Sequence, residues 1–336
     1  MQLINNQNII RITALWAFSE AFLGGILHGF KIPFSGLFLS FFASVCITLL
    51  AVTTSQKITI TKATLAVIAV KFMLSPQTPP MAYVAVLIQG LVGELLFILI
   101  RKKQIAAALL TFFSLVYSAI QHLLILTLVF GKSFWNAMDT FLNGITKNFV
   151  SGFTPYAMYI IIAYLSCYII VGIIGGIFNA KMVTNIYTEK WKQQYTQSNL
   201  ATLSIQHLTV TNKKKQKLSI YALVGILLCI LFVISYFPAY ETIVQKNKVL
   251  RIIIRGSAIL LTWNFIIAPL FIKLMQNWVS KYQHRHNTKL QQIILLIPEM
   301  RVVVQKSWLD AKNYSPLYRI QKFISNMVLL VLYADK

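Results

Sequence analysis

The chain has 336 residues, 57 % of them hydrophobic and 12 % charged, about half the charged fraction of an ordinary globular domain. Its formal charge of +23 would suit a nucleic-acid binder, but the Lys and Arg lie between and after apolar blocks of membrane-spanning length. This pattern excludes a soluble domain, and it assigns the charge to membrane topology and to contact with the anionic headgroups of a lipid bilayer, with no nucleic acid involved.

In chain order, apolar blocks at 10–30, 33–53, 60–75, 81–100, 105–130, 155–180, 218–237 and 250–275 predict an all-α integral membrane protein with about eight spans, six plus two. The first block follows a polar decapeptide and is too long for the core of a cleavable signal peptide. The third ends in "SPQTPP" at 75–80, whose prolines forbid a continued helix. Cys46, Cys167 and Cys229 each sit inside a block and read as small buried hydrophobes without disulfide or metal spacing. Arg11, Lys57, Lys62, the "RKK" at 101–103 and the basic 181–217 segment fall on one side. The other side takes Lys31, Lys132 and Lys147. Both termini are therefore expected on the cytoplasmic side of a cytoplasmic (inner) membrane.

Four regions follow: a six-helix membrane domain at 1–183, a basic cytoplasmic linker at 184–217, a two-helix membrane region at 218–276 and a tail at 277–336. In the tail, 289–309 and 316–333 carry apolar residues at helical spacing with charges between, the mark of cytoplasmic amphipathic helices. Pro298 and Pro316 are expected in a first helical turn, with Arg301 and Arg319 three residues on.

Ionisable groups inside spans are costly and therefore functional candidates. Three are clear: Glu20, Lys71 and Glu94. Projected at roughly 100° per residue, span 1 collects Thr13, Ala14, Ala17, Glu20, Ala21, Gly24, Gly25 and His28 on one small and polar arc. The bulky Trp16, Phe18, Phe22 and Leu23 take the other side. Ala17, Ala21, Gly25 and Gly29 form a small-residue stripe for close helix approach. Span 4 repeats the logic with Gln89, Gly90, Gly93 and Glu94. Lys71 is expected to pair with Glu20, at similar depth, or with Glu94, joining spans 1, 3 and 4. His28 and Lys31, beside "KIPFSG" at the outer end, suit either ligand contact or interfacial residence. With Trp16, Gln89 and His122 they make up the substrate-contact candidates, although His122, facing Tyr117 and Gln121, reads first as a satisfied interior histidine and only second as a ligand.

Several chemistries are missing from the sequence. No Gly-x-x-x-x-Gly-Lys-Ser/Thr loop, no His-Glu-x-x-His pair and no Asp-rich diphosphate motif occurs. With eight acidic residues in all, the chain is not expected to be an enzyme. His284 and His286 alone make no metal site, and no cofactor is expected on this chain.

The passages "HGFKIPFSGLFLSFFASV" and "KFMLSPQTPPMAYVAVLIQGLVGELLF", with six spans and an Ala-x-x-x-Ala at Ala17 and Ala21, are similar to the S-component of energy-coupling factor (ECF) transporters. Residues 218–336 look like a reduced T-component of the same class, with Arg301 and Arg319 at the places of its coupling-helix arginines. Their neighbours Met300, Val302, Tyr318 and Ile320 depart from the small residues usual there, and two spans are fewer than usual. The resemblance implies uptake of a small-molecule micronutrient, vitamin-like or metal, with ATP used by separate ABC-type ATPase subunits. It implies further that helix 1 contacts the coupling helices while ligand binds near the outer face. The rival readings are a solitary S-like carrier without an ATPase and a structural membrane-assembly subunit without a ligand.

Overall fold

The computed structural model describes residues 6–25, 34–54, 56–75, 78–146, 152, 154–186, 262 and 266–333. Among these residues all regular structure is helical. We number the helices α1 (Asn6–Phe18), α2 (Ser35–Thr53), α3 (Thr59–Leu74), α4 (Pro80–Leu99), α5 (Lys103–Phe130), α6 (Lys132–Thr146), α7 (Tyr156–Ile186), α8 (Ala268–Asp310) and α9 (Pro316–Tyr333). Four of them, α2, α4, α5 and α7, are long and apolar enough to cross a membrane, so this is a helical membrane protein. The exposed isoleucines of α7, among them Ile169, Ile170, Ile173 and Ile174, give an apolar outer surface suited to lipid.

The predicted third span is shorter than a bilayer crossing. Its helix α3 has 16 residues, about 24 Å at 1.5 Å per residue, against a hydrocarbon core of about 30 Å. The predicted seventh span, most of the eighth, the 184–217 linker beyond Ile186, Cys229, His28, Gly29 and Lys31 lie outside the described residues.

The chain forms two compact units. One gathers 1–118, 169–209 and 277–336; the other gathers 119–168 and 210–276. The C-terminal helices thus share a unit with the N-terminal ones. In that first unit α1 packs against α2, α3 and α9, while α4 packs against α2 and α3. Ile12 and residues 14–17 of α1 have no exposure at all. Residues 327–332 of α9 are all buried, so the tail contributes to the core.

The two-faced reading of span 1 is corrected here. Trp16 and Phe18 are buried like Ala17, because α1 has neighbours on its bulky face as well, whereas Phe22 beyond it remains 46 % exposed. A π-helical turn at Ser19–Leu23 also inserts a residue into the helical register, so a uniform projection fails beyond it. Gly24 faces Leu39, with 3.6 Å from an added Cβ to Leu39 Cδ1, but Gly25 is open, with nothing within 4 Å. The small-residue stripe therefore stops short of Gly25.

Glycine has its packing role elsewhere. An added Cβ would strike Thr64 at Gly90 and would lie 2.6 Å from Ile47 Cγ2 at Gly93. On α7, a Cβ on Gly176 would lie 2.9 Å from the Ala108 carbonyl oxygen, and one on Gly175 would lie 3.0 Å from the Phe41 ring. Two further differences concern proline and loops. Pro298 lies inside α8, not at a helix start, and the break in that helix is at His286 (φ −130°, ψ 28°). Pro316 does open its helix. The stretch after span 5, expected as a loop, contains α6. Asp139 Oδ1 on α6 accepts the Ala157 N–H at 2.7 Å, capping the first turn of α7.

Candidate functional site

The first unit carries a buried ion pair. Lys71 Nζ is 2.7 Å from Glu20 Oε2, with side chains 3 % and 4 % exposed. Glu20 belongs to the π turn of the first helix, and Lys71 to the last turn of α3. The Tyr83 ring lies 5.6 Å from Nζ. Burying two charges is favourable only when each neutralises the other, and this geometry satisfies that condition.

Glu94 does something different. Its carboxylate accepts the N–H groups of Ile58 at 3.0 Å and Thr61 at 2.9 Å, and the Thr61 hydroxyl at 3.3 Å. It therefore closes the N-terminus of α3, where free donors and the helix dipole favour an anion. Of the two partners open to Lys71, the structure selects Glu20. Helix α3 is thus held by a carboxylate near each end, one from the first helix and one from α4.

A polar seam runs through the same unit. Ser40, Ser44 and Thr48 repeat every four residues along α2, and each meets a different helix. Gln89 Nε2 of α4 donates to Ser40 Oγ at 2.9 Å. The Thr111 hydroxyl of α5 lies 3.1 Å from Ser44 Oγ. Asn179 Nδ2 of α7 lies 2.9 Å from both Thr48 Oγ1 and Thr111 Oγ1. All six residues are buried. Sequence reasoning singled out Gln89 alone; the signal for the rest is the Ser/Thr spacing of four in an otherwise apolar helix, together with one Asn in another. Five buried polar atoms in this unit have no hydrogen-bond partner among the described residues: Arg319 Nε in the tail, and Trp16 Nε1, Gln89 Oε1, Ser114 Oγ and Asn179 Oδ1 among the N-terminal helices and α7. Such spare capacity is the place for water or a small hydrogen-bonding ligand.

The substrate-contact candidates do not form one group. Trp16 is wholly buried in α1, Gln89 is buried in α4, and His28 and Lys31 fall outside the described residues. His122 belongs to the second unit. It is exposed, which corrects its reading as an interior histidine, and its ring lies 6.1 Å from Tyr164. An open cleft of about 320 Å³ lies between α1 and α8, lined by Gln7, Ile10, Arg11, Gln292, Leu295 and Leu296. None of these was expected to touch substrate. Beside it Arg11 Nη2 and Glu299 Oε1 are 3.9 Å apart, joining the N-terminal helix to α8. No cluster of three or more metal-ligating side chains occurs among the described residues.

The two arginines of the tail differ. Arg301 is exposed on α8. Arg319 is part-buried, its guanidinium 4.0 Å from the centre of the Trp308 ring, and Phe323 meets the same ring edge-on at 5.5 Å. Arg301 is thus presented, while Arg319 is braced. No family model, curated protein or solved structure matches the chain. A functional reading rests on the chain's own chemistry.

Proposed function

We propose that this protein is the membrane part of an ECF-type uptake system for a small micronutrient, vitamin-like or metal, energised by separate ATPase subunits. The observation that carries the reading is the seating of α9 against α1. A tail helix that follows the arginine-bearing α8 touches the helix that, in the resembled class, meets the coupling helices. The Arg11–Glu299 contact supports placing the start of α1 and the tail on one side, the cytoplasmic one. Arg301 would dock in an acidic groove of an ATPase through charge-assisted hydrogen bonds, and Arg319, held on Trp308, would stiffen the α8–α9 corner. ATP is bound by the partner, since this chain has no phosphate-binding loop. The spare hydrogen-bonding atoms of the polar seam suit passage or retention of a small polar solute.

The seating of Arg319 favours one rival, a solitary carrier, over a docking surface that needs both arginines exposed. A thermal-shift screen of the full chain against vitamins, metal ions and nucleosides tests the uptake function common to both. A ligand at a hundred times its Kd should add about 2.7 kcal/mol of stability. Stabilisation by none of them would contradict uptake and leave the assembly-subunit reading.

A further inference from the structure

Helix α8 changes character along its length in a fixed order. Leu270, Leu274, Trp278, Tyr282 and His286 succeed one another at intervals of four, which places them on one stripe of helix surface. Leu270 and Leu274 are 59 % and 61 % exposed. Trp278 and Tyr282 stack with ring centroids 5.3 Å apart, and Tyr282 meets His286 at 4.8 Å. Beside this ladder Lys281 and Arg285 keep the same interval of four, Lys289 follows three residues past the break at His286, and all three are exposed. None has an ion-pair partner among the described residues. The sequence holds no Asp or Glu between Glu241 and Glu299, so no carboxylate within the helix itself can neutralise them.

Exposed aliphatics, then aromatics, then cations is the order in which a helix passes from hydrocarbon through the interface to the headgroups. From Trp278 to Arg285 the axial rise is about 10 Å, the scale of one headgroup layer. An acidic protein groove would match the cations but leave Leu270, Leu274 and the aromatic ladder without an apolar medium, and a nucleic acid would leave the leucines in water. We propose that Lys281, Arg285 and Lys289, with Trp278 and Tyr282 beneath them, form a binding site for anionic phospholipid headgroups that fixes the depth of α8. The aromatic pair sits at glycerol level and the three cations meet phosphates. This site requires an anionic phospholipid and is independent of any transported solute or ATPase.

Native mass spectrometry of the full chain in mild detergent, titrated with phosphatidylglycerol or phosphatidylcholine, reads the site directly. Three cations at an anionic surface should give a preference for phosphatidylglycerol on the order of a hundredfold. Lys281→Gln/Arg285→Gln/Lys289→Gln should lose most of that preference, and the single variants should lose it in steps, which keeps the test valid if the triple variant misfolds. Lys57→Gln/Lys62→Gln/Lys102→Gln, the same change in net charge at other exposed positions, should retain it. Equal affinity for the two lipids would overturn the assignment. So would equal losses in the two triple variants. Loss of a co-purifying protein from the α8 variant with lipid preference intact would assign the surface to that protein instead.

Discussion

Glu20 and Lys71 are worth far more together than apart. Removing one leaves an uncompensated charge in the core, so Glu20→Gln or Lys71→Met should each cost about 3–5 kcal/mol in unfolding free energy. The double variant should recover most of that loss. Thermal unfolding in detergent checks the cycle, and additive losses in the double variant would refute the pairing. Glu94→Ala should cost about 1 kcal/mol by uncapping α3, with no coupling to Lys71. Asn179→Leu removes the donor to the Thr48 and Thr111 hydroxyls, of which Thr111 keeps its bonds to Ser44 and Ala107, and should cost about 1–3 kcal/mol. At this scale the sequence exposed the charges, because three ionisable groups in apolar blocks stand out on desolvation cost alone. It did not expose what Glu94 does, since a carboxylate that caps a helix 33 residues earlier leaves no periodic trace. Asn179 escaped notice because it is neutral and solitary.

The glycines separate helix contacts that are close from those that are merely rich in small residues. Gly176→Ala pushes a methyl against the Ala108 carbonyl and should destabilise the α5–α7 contact by about 1–3 kcal/mol. Gly25→Ala meets nothing and should be neutral or slightly stabilising. Thermal unfolding of the two variants side by side distinguishes them, and a reversed order would contradict the packing described. Periodicity identified α2, α4, α5 and α7 because unbroken apolar runs of this length have few alternatives. It misjudged the first helix because the π turn at Ser19–Leu23 is a hydrogen-bond shift that no residue pattern announces. It misjudged Pro298 as well: proline suits a first turn, yet α8 continues through it.

At the scale of the whole molecule, the tail belongs to the core of the first unit. Ile324 and residues 327–332 of α9 are buried, so deleting 277–336 should unfold this unit, and truncation cannot separate coupling from stability. Arg301→Glu can, because Arg301 is exposed and its replacement should leave unfolding unchanged within about 0.5 kcal/mol. The sequence placed amphipathic helices in the tail but not their seat, since an amphipathic face states that it must be covered and not by what. The central claim is coupling to a separate ATPase through Arg301. Tagged full-length protein at native expression, purified in mild detergent, should bring down a nucleotide-binding partner that Arg301→Glu fails to recover. Recovery of no nucleotide-binding protein, or equal recovery with the variant, would contradict it.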